Sequence, residues 1–197
     1  MKLIIVRHGE TFENTKGISQ GHMNSQLTLK GIEQAKNVAK RLKGIKIDIA
    51  YSSDLDRSLN TCKEILKYHD NIKIIKTQIL REQSKGIFEG RTHKERNELF
   101  KNDKKPFHLW HPENGERLID VWNNVNHLIE KIKQNYNDKN VLIVSHGGPI
   151  ACILTHLHKK KIEEFGKYLP ENTAISVINI NNDNINFKII NCNKHLD

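Results

Sequence analysis

The chain of 197 residues is 37% hydrophobic and 28% charged, which excludes a disordered or fibrous polymer and fits one globular domain. Its net charge of +9 favours anionic partners, namely nucleic acid, an acidic membrane surface or a phosphorylated substrate. Cys62, Cys152 and Cys192 stand far apart without a CxxC pair, which excludes a disulfide framework or zinc finger and fits a reducing, cytoplasmic setting.

The first element is a short apolar run, Leu3 to Val6, which predicts a strand buried on both faces. From Thr28, residues Ile32, Ala35, Val38, Ala39 and Leu42 recur at helical spacing, and Gly44 marks the stop. Ile47 to Tyr51 predicts a second strand, followed by a helix from about Asp54 to Tyr68 capped by Ser53. Ile72 to Ile75 is a third, weaker strand. The stretch 77–115 is polar and irregular and reads as a variable insertion carried by the main domain. Leu118, Val121, Trp122, Val125, Leu128, Ile129 and Ile132 predict a helix over 116–134, and Val141 to Val144 is the clearest strand. Pro149 suits the first turn of the next helix. Two last strands, Ala174 to Ile180 and Ile185 to Ile190, are joined by an Asn-Asp-Asn turn at 182–184. Strands alternating with helices imply an α/β sandwich around a mostly parallel sheet. No stretch approaches the roughly 18 apolar residues of a membrane helix.

Ligands of open α/β sheets bind outside the carboxyl ends of the strands. Three strands end in unusual polar residues: Arg7-His8-Gly9-Glu10, Ser52-Ser53 with Arg57 in the following helix, and Ser145-His146-Gly147-Gly148. If these strands are neighbours, two histidines and two arginines meet at one rim. Glycines beside both histidines would let backbone N–H groups approach a ligand, and the helix near Pro149 would add its positive end. Two guanidiniums suit a tetrahedral oxyanion, and a histidine among cations is kept neutral and nucleophilic. A carboxylic acid is then needed to protonate a leaving alkoxide. His156 and His158, two apart on a helix, face different ways and form no metal pair. Trp110 and Trp122 read as packing residues.

Arg7-His8-Gly9-Glu10-Thr11 resembles the signature of the histidine phosphatase superfamily, the phosphoglycerate mutase-like fold. The resemblance continues through Asn14, Gln20-Gly21, the segment Leu27 to Ala35, Tyr51 to Arg57 with Thr61, Leu80-Arg81-Glu82 with Gly86 and Glu89-Gly90, and Val144 to Gly147. Asn191 and His195-Leu196 resemble the C-terminal signature of the small phosphatase members. It implies a three-layer α/β/α sandwich with a mostly parallel central sheet and one domain over 1–197. It also implies roles. His8 accepts the phosphoryl group, Arg7 and Arg57 clamp it, and His146 donates a hydrogen bond to it. Glu82 is the proton donor and then the base that activates water, with Glu89 the neighbouring alternative. Asn14, Gln20, Gly21 and Gly147 are further phosphate- or substrate-binding candidates. No metal or other cofactor is implied. Arg117 stands where serine is usual and Asn124 where an arginine is often found. Lys85 and Arg91 flank the acid motif and suggest a substrate with a second anionic group.

The expected activity is a metal-independent phosphomonoesterase acting on small phosphorylated metabolites. A cofactor-dependent phosphoglycerate mutase shares the same residues, and a non-catalytic phosphate- or nucleic-acid-binding module would use only the charge. Neither a nucleic acid nor a membrane is the expected partner, since no RNA-binding, helix-turn-helix or Walker motif is present. A homodimer is allowed by the sequence but not signalled in it.

Overall fold

The computed structural model describes residues 1–100, 105–181 and 184–197. Six strands form one sheet: β1 (Lys2–Arg7), β2 (Ile49–Ser53), β3 (Ile74–Thr77), β4 (Asn140–Ser145), β5 (Ile175–Asn181) and β6 (Asn184–Cys192). Their order is β3-β2-β4-β1-β5-β6. The β1–β4, β2–β4 and β2–β3 pairs are parallel, whereas β5 and β6 join as an antiparallel edge. Residues 182 and 183 of the expected last turn lie outside the described residues.

The pleat divides the central strands between two cores, because successive side chains point to opposite faces. Leu3 and Ile5 of β1 and Val141 and Ile143 of β4 join one cluster. It is completed by α5 (Leu118–Asn135) and α6 (Gly147–Leu157). Ile4, Val6, Leu142 and Val144 join the other, against α2 (Leu29–Leu42) and α3 (Asp56–Leu66). Each fully buried aliphatic side chain in these clusters contributes about 1.5–3 kcal/mol. The result is the expected three-layer α/β/α sandwich. Two shorter helices, α1 (Phe12–Thr15) and α4 (His93–Phe100), stand outside the layers.

Several local expectations shift. Thr28 caps α2 through its side chain and the Gly31 N–H, as the pattern suggests, but Ile32 is 39% exposed. The buried face of α2 instead runs through Gly31, Gln34, Ala35 and Val38. Gly31 is needed there because the loop after β1 packs directly on its backbone: a Cβ on Gly31 would lie 2.0 Å from the Glu10 carbonyl oxygen, and one on Gly9 2.4 Å from the Gly31 carbonyl oxygen. Ser53 is not a helix cap. Strand β2 continues through it, α3 begins at Asp56, and Leu55 takes the cap position without a side-chain bond. Arg117 likewise caps α5 without a side-chain bond and pairs with Asp120 on the surface, where Asn124 is also exposed. Asn191 and His195 are structural: Asn191 donates to the Tyr168 carbonyl (2.9 Å), and His195 Nε2 bonds Thr173 Oγ1 (3.1 Å).

The three cysteines differ in reactivity. Burial pushes the Cys62 and Cys152 thiols up to about 12. The Cys192 thiol is held below its ordinary value by the Lys194 backbone N–H and by Arg41, whose Nη2 lies 3.3 Å from Sγ. Thiolate is the reactive form. Iodoacetamide at neutral pH is therefore expected to label one cysteine in the folded protein, Cys192 by peptide mapping, and all three in urea. Native labelling of Cys62 or Cys152 at a comparable rate would contradict this assignment.

Candidate active site

The order β2-β4-β1 brings the three polar strand ends together. Arg7 of β1 is level with Ser145 of β4, and the His8 N–H donates to the Ser145 carbonyl (3.0 Å). The rings of His8 and His146 consequently lie 5.0 Å apart, centroid to centroid. Beside them opens a cavity of about 410 Å³ lined by Arg7, His8, Asn14, Gln20, Gly21, Arg57, Glu82 and Gly147, among others. These eight are site candidates of the sequence; His93, Arg96, Phe107 and Phe165, also in the wall, are not.

His8 is almost wholly buried, and its Nδ1 donates to the Gly9 carbonyl at 2.7 Å. Only the Nδ1-protonated ring can make that bond, so Nε2 keeps a lone pair toward the cavity. Burial holds the imidazole well below its ordinary pKa, and Arg7 and Arg57 lower it further against the opposing Gly9 carbonyl. The Gly9 N–H serves the fold by donating to Thr61 Oγ1 (3.1 Å), and Asn172 Nδ2 donates to the His8 carbonyl (3.0 Å). Asn172 stands in no recognisable motif, so its bracing role was invisible in the sequence.

Arg57 is fixed by three bonds: Nε to His146 Nδ1 (3.1 Å), Nη1 to the Met23 carbonyl (2.6 Å) and Nη2 to the Gly21 carbonyl (2.8 Å). Two of its five N–H groups remain for a ligand. Burial lowers its pKa to about 10, which leaves it charged at neutral pH. Arg7 Nη1 donates to the Pro170 carbonyl (2.8 Å), while its buried Nε has no partner among the described residues. Where a side chain would begin at Gly147, Arg7 Nε is 3.9 Å and Glu82 Oε2 is 3.8 Å away. The open start of α6 is therefore flanked by a donor and a carboxylate, with the helix N-terminus behind them.

His146 is placed differently from expectation. It is fully buried and does not line the cavity. Its Nδ1 accepts from Arg57, so Nε2 carries the proton and donates to Ser53 Oγ at 2.8 Å. With both ring nitrogens engaged in this structure, it orients Arg57 through Nδ1 and holds Ser53 through Nε2. Burial, followed by Arg57, His8 and Arg7, holds it well below its ordinary pKa. Arg57 thus fixes this tautomer, and Ser53, read from sequence as a cap, accepts the Nε2 proton.

Glu82 lines the cavity, with Oε1 accepting from the Gln83 N–H (2.9 Å) and Oε2 from the Gly148 N–H (3.2 Å). Glu89 does not line it; its Oε1 accepts from the His22 and Lys85 N–H groups and the Ser84 hydroxyl. Choosing between the two acids is therefore a matter of structure, and it favours Glu82. Asn14 Oδ1 accepts from Thr11 and Asn172, leaving its NH2 to offer. Gly21 lines the cavity, and its carbonyl accepts from Arg57 Nη2. Gln20 lines the cavity with Oε1 unpartnered. Trp110 is tilted against Phe88 and Trp122 meets His156 edge-on, and neither tryptophan lines the cavity. Arg91 is exposed over Phe88, whereas Lys85, His93 and Arg96 line the cavity. Among the described residues no three His, Cys, Asp or Glu side chains gather as a metal-binding group.

The family description "Histidine phosphatase superfamily (branch 1)" matches residues 3–193. The chain belongs to that superfamily. It is 27% identical to the adenosylcobalamin/alpha-ribazole phosphatase of Escherichia coli, covering 97% of this chain and 96% of the relative. It is 30% identical to phosphoserine phosphatase 1 of Hydrogenobacter thermophilus, covering 91% and 87%. The solved structure of Bacillus stearothermophilus YhfR superposes with a TM-score of 0.90 at 26% identity, covering 100% of this chain and 99% of that one. The expected fold and enzyme class, a phosphoglycerate mutase-like sandwich and a phosphoric monoester hydrolase, agree with these relatives. Among the described residues no helix is long and apolar enough to cross a membrane.

The buried histidines give a pH signature. Between their depressed folded pKa values and the ordinary 6.5, the unfolded chain binds protons that His8 and His146 in the folded chain refuse. Stability is therefore expected to fall as pH drops below about 6.5, by up to about 1.4 kcal/mol per pH unit for each group. Urea titrations at a series of pH values should show this slope, and it should flatten in His146→Gln. An unchanged slope in that variant would remove His146 from the explanation.

Proposed function

We propose that the chain hydrolyses phosphate monoesters of small metabolites through a phosphohistidine at His8, without a metal. The observation that carries this is the neutral His8 ring, with Nδ1 tied to Gly9 and Nε2 open beside Arg7 and Arg57. In the first step Nε2 attacks phosphorus while the bond to the alcohol oxygen breaks, and Glu82 delivers a proton to that oxygen. Arg7, Arg57, the Asn14 amide and the start of α6 stabilise charge on the equatorial oxygens, the work a metal does elsewhere. His146 and the Met23 and Gly21 carbonyls keep Arg57 in place. In the second step water attacks phosphorus, Glu82 takes its proton, the P–N bond breaks and phosphate leaves. The reducing cytoplasm, where the three cysteines stay thiols, is the compartment this reading assigns.

The test is an assay with excess chelator against phosphorylated acids, sugars and nucleotides, following free phosphate and isomerised product together. Chelator-resistant phosphate release is the expected result. Isomerisation without release would make the protein a mutase, and silence on every ester would leave a binding module.

A further inference from the structure

Charge in the cavity is not balanced by a single phosphoryl group. Four cations line it, Arg7, Arg57, Lys85 and Arg96, against one carboxylate, Glu82. Arg7 and Arg57 suffice for the phosphoryl dianion. Lys85 and Arg96 are half-buried, and among the described residues their side-chain hydrogen bonds go only to neutral groups: Lys85 Nζ to Gln83 Oε1 (2.6 Å) and Arg96 to Asn97 Oδ1. Partly desolvated like charges facing one cavity oppose each other; at Lys85 the carboxylates of Glu82, Glu116 and Glu89 offset part of this, and an incoming anion between Lys85 and Arg96 would offset more. Ser19 lies in the same wall, 2% exposed, its hydroxyl without a partner among the described residues. The fold holds these groups together: Ile18 bridges Thr92, and the Ser19 N–H donates to the Arg91 carbonyl (2.8 Å), just ahead of the helix that carries Arg96.

We propose that Lys85 and Arg96, with the Ser19 hydroxyl, form a second anion subsite, and that the substrate is a phosphomonoester whose alcohol bears a further carboxylate or phosphate. The inference rests on the phosphomonoesterase reading and names its substrate class. The pairing is Lys85 with Arg96, not with Arg91, because Arg91 points to solvent over Phe88. Charge-assisted hydrogen bonds to such a tail should favour it by roughly tenfold or more over a neutral one.

The experiment compares kcat/KM for 3-phosphoglycerate with glycerol 3-phosphate, which differ only in a carboxylate against a hydroxymethyl group. Propane-1,3-diol bisphosphate with propyl phosphate forms the second pair, and the preferred pair identifies the tail. At least a tenfold preference for the charged tail is expected in one pair, reduced about tenfold in Lys85→Gln and in Arg96→Gln. The same four ligands are titrated calorimetrically against His8→Ala protein, where the ratio of Kd values should repeat the preference. Ratios near one in both pairs, or ratios unmoved by both substitutions, would overturn the subsite. Absence of turnover with a retained Kd ratio would instead sink the hydrolase reading and leave the subsite standing.

Discussion

His8→Ala is expected to abolish turnover, with kcat falling roughly 10⁴-fold or more, the scale on which loss of a nucleophile operates. The size follows from what the substitution leaves behind. Arg57 keeps its bonds to His146, Met23 and Gly21, and Arg7 keeps its bond to Pro170, so the anion cradle persists without an atom to accept the phosphoryl group. Inorganic phosphate or a substrate should therefore still bind, while no covalent phosphoenzyme forms. Stopped assays with enough enzyme to see a single turnover, together with calorimetry, separate the two. Activity within tenfold of the parent protein would show that a different group, or water itself, attacks phosphorus.

Glu82→Gln is expected to lower turnover of alkyl phosphates by about 10²–10⁴-fold, the range for removing a positioned general acid. The effect should depend on the leaving group. An alkoxide needs the proton, whereas p-nitrophenolate leaves without one. With p-nitrophenyl phosphate the variant should show a burst of nitrophenolate equal to the enzyme present, then slow turnover, because the same residue is missing when water must be activated. Glu89 cannot stand in, since its Oε1 is held by the His22, Lys85 and Ser84 donors. Equal losses on both esters without a burst would assign Glu82 to holding the Gln83 and Gly148 backbone, not to proton transfer.

The rim was legible in the sequence because it is built from local signals. A short apolar strand followed at once by Arg-His-Gly or Ser-His-Gly states both the element and the group it delivers, and parallel strands aim those groups to one side. What failed was whatever depended on the path of the chain between elements. Ser53 resembles a cap because serine before a helix usually is one, yet the ladder to β3 carries β2 through it, and its hydroxyl meets His146, which follows β4. The partners of His146 were hidden for the same reason: its motif shows a histidine at the rim but not that Arg57 and Ser53 meet its two nitrogens. Ile32 fits the apolar period of α2, but close contact of two backbones at Gly9 and Gly31 turns the helix so that it faces out. Arg91 and Arg96 could not be told apart in an irregular segment, because only the bridge from Ile18 to Thr92 sets the direction in which the following helix leaves.

The most direct measurement is an alkaline quench of the enzyme mixed with a substrate labelled in its phosphoryl group, followed by peptide mapping at alkaline pH. The result expected is one label per chain on His8, labile to acid and stable to alkali as a phosphoramidate is. It should be absent in His8→Ala and should accumulate in Glu82→Gln with p-nitrophenyl phosphate. Turnover without any trapped label in Glu82→Gln, or a label on a residue other than His8, would contradict the phosphohistidine route.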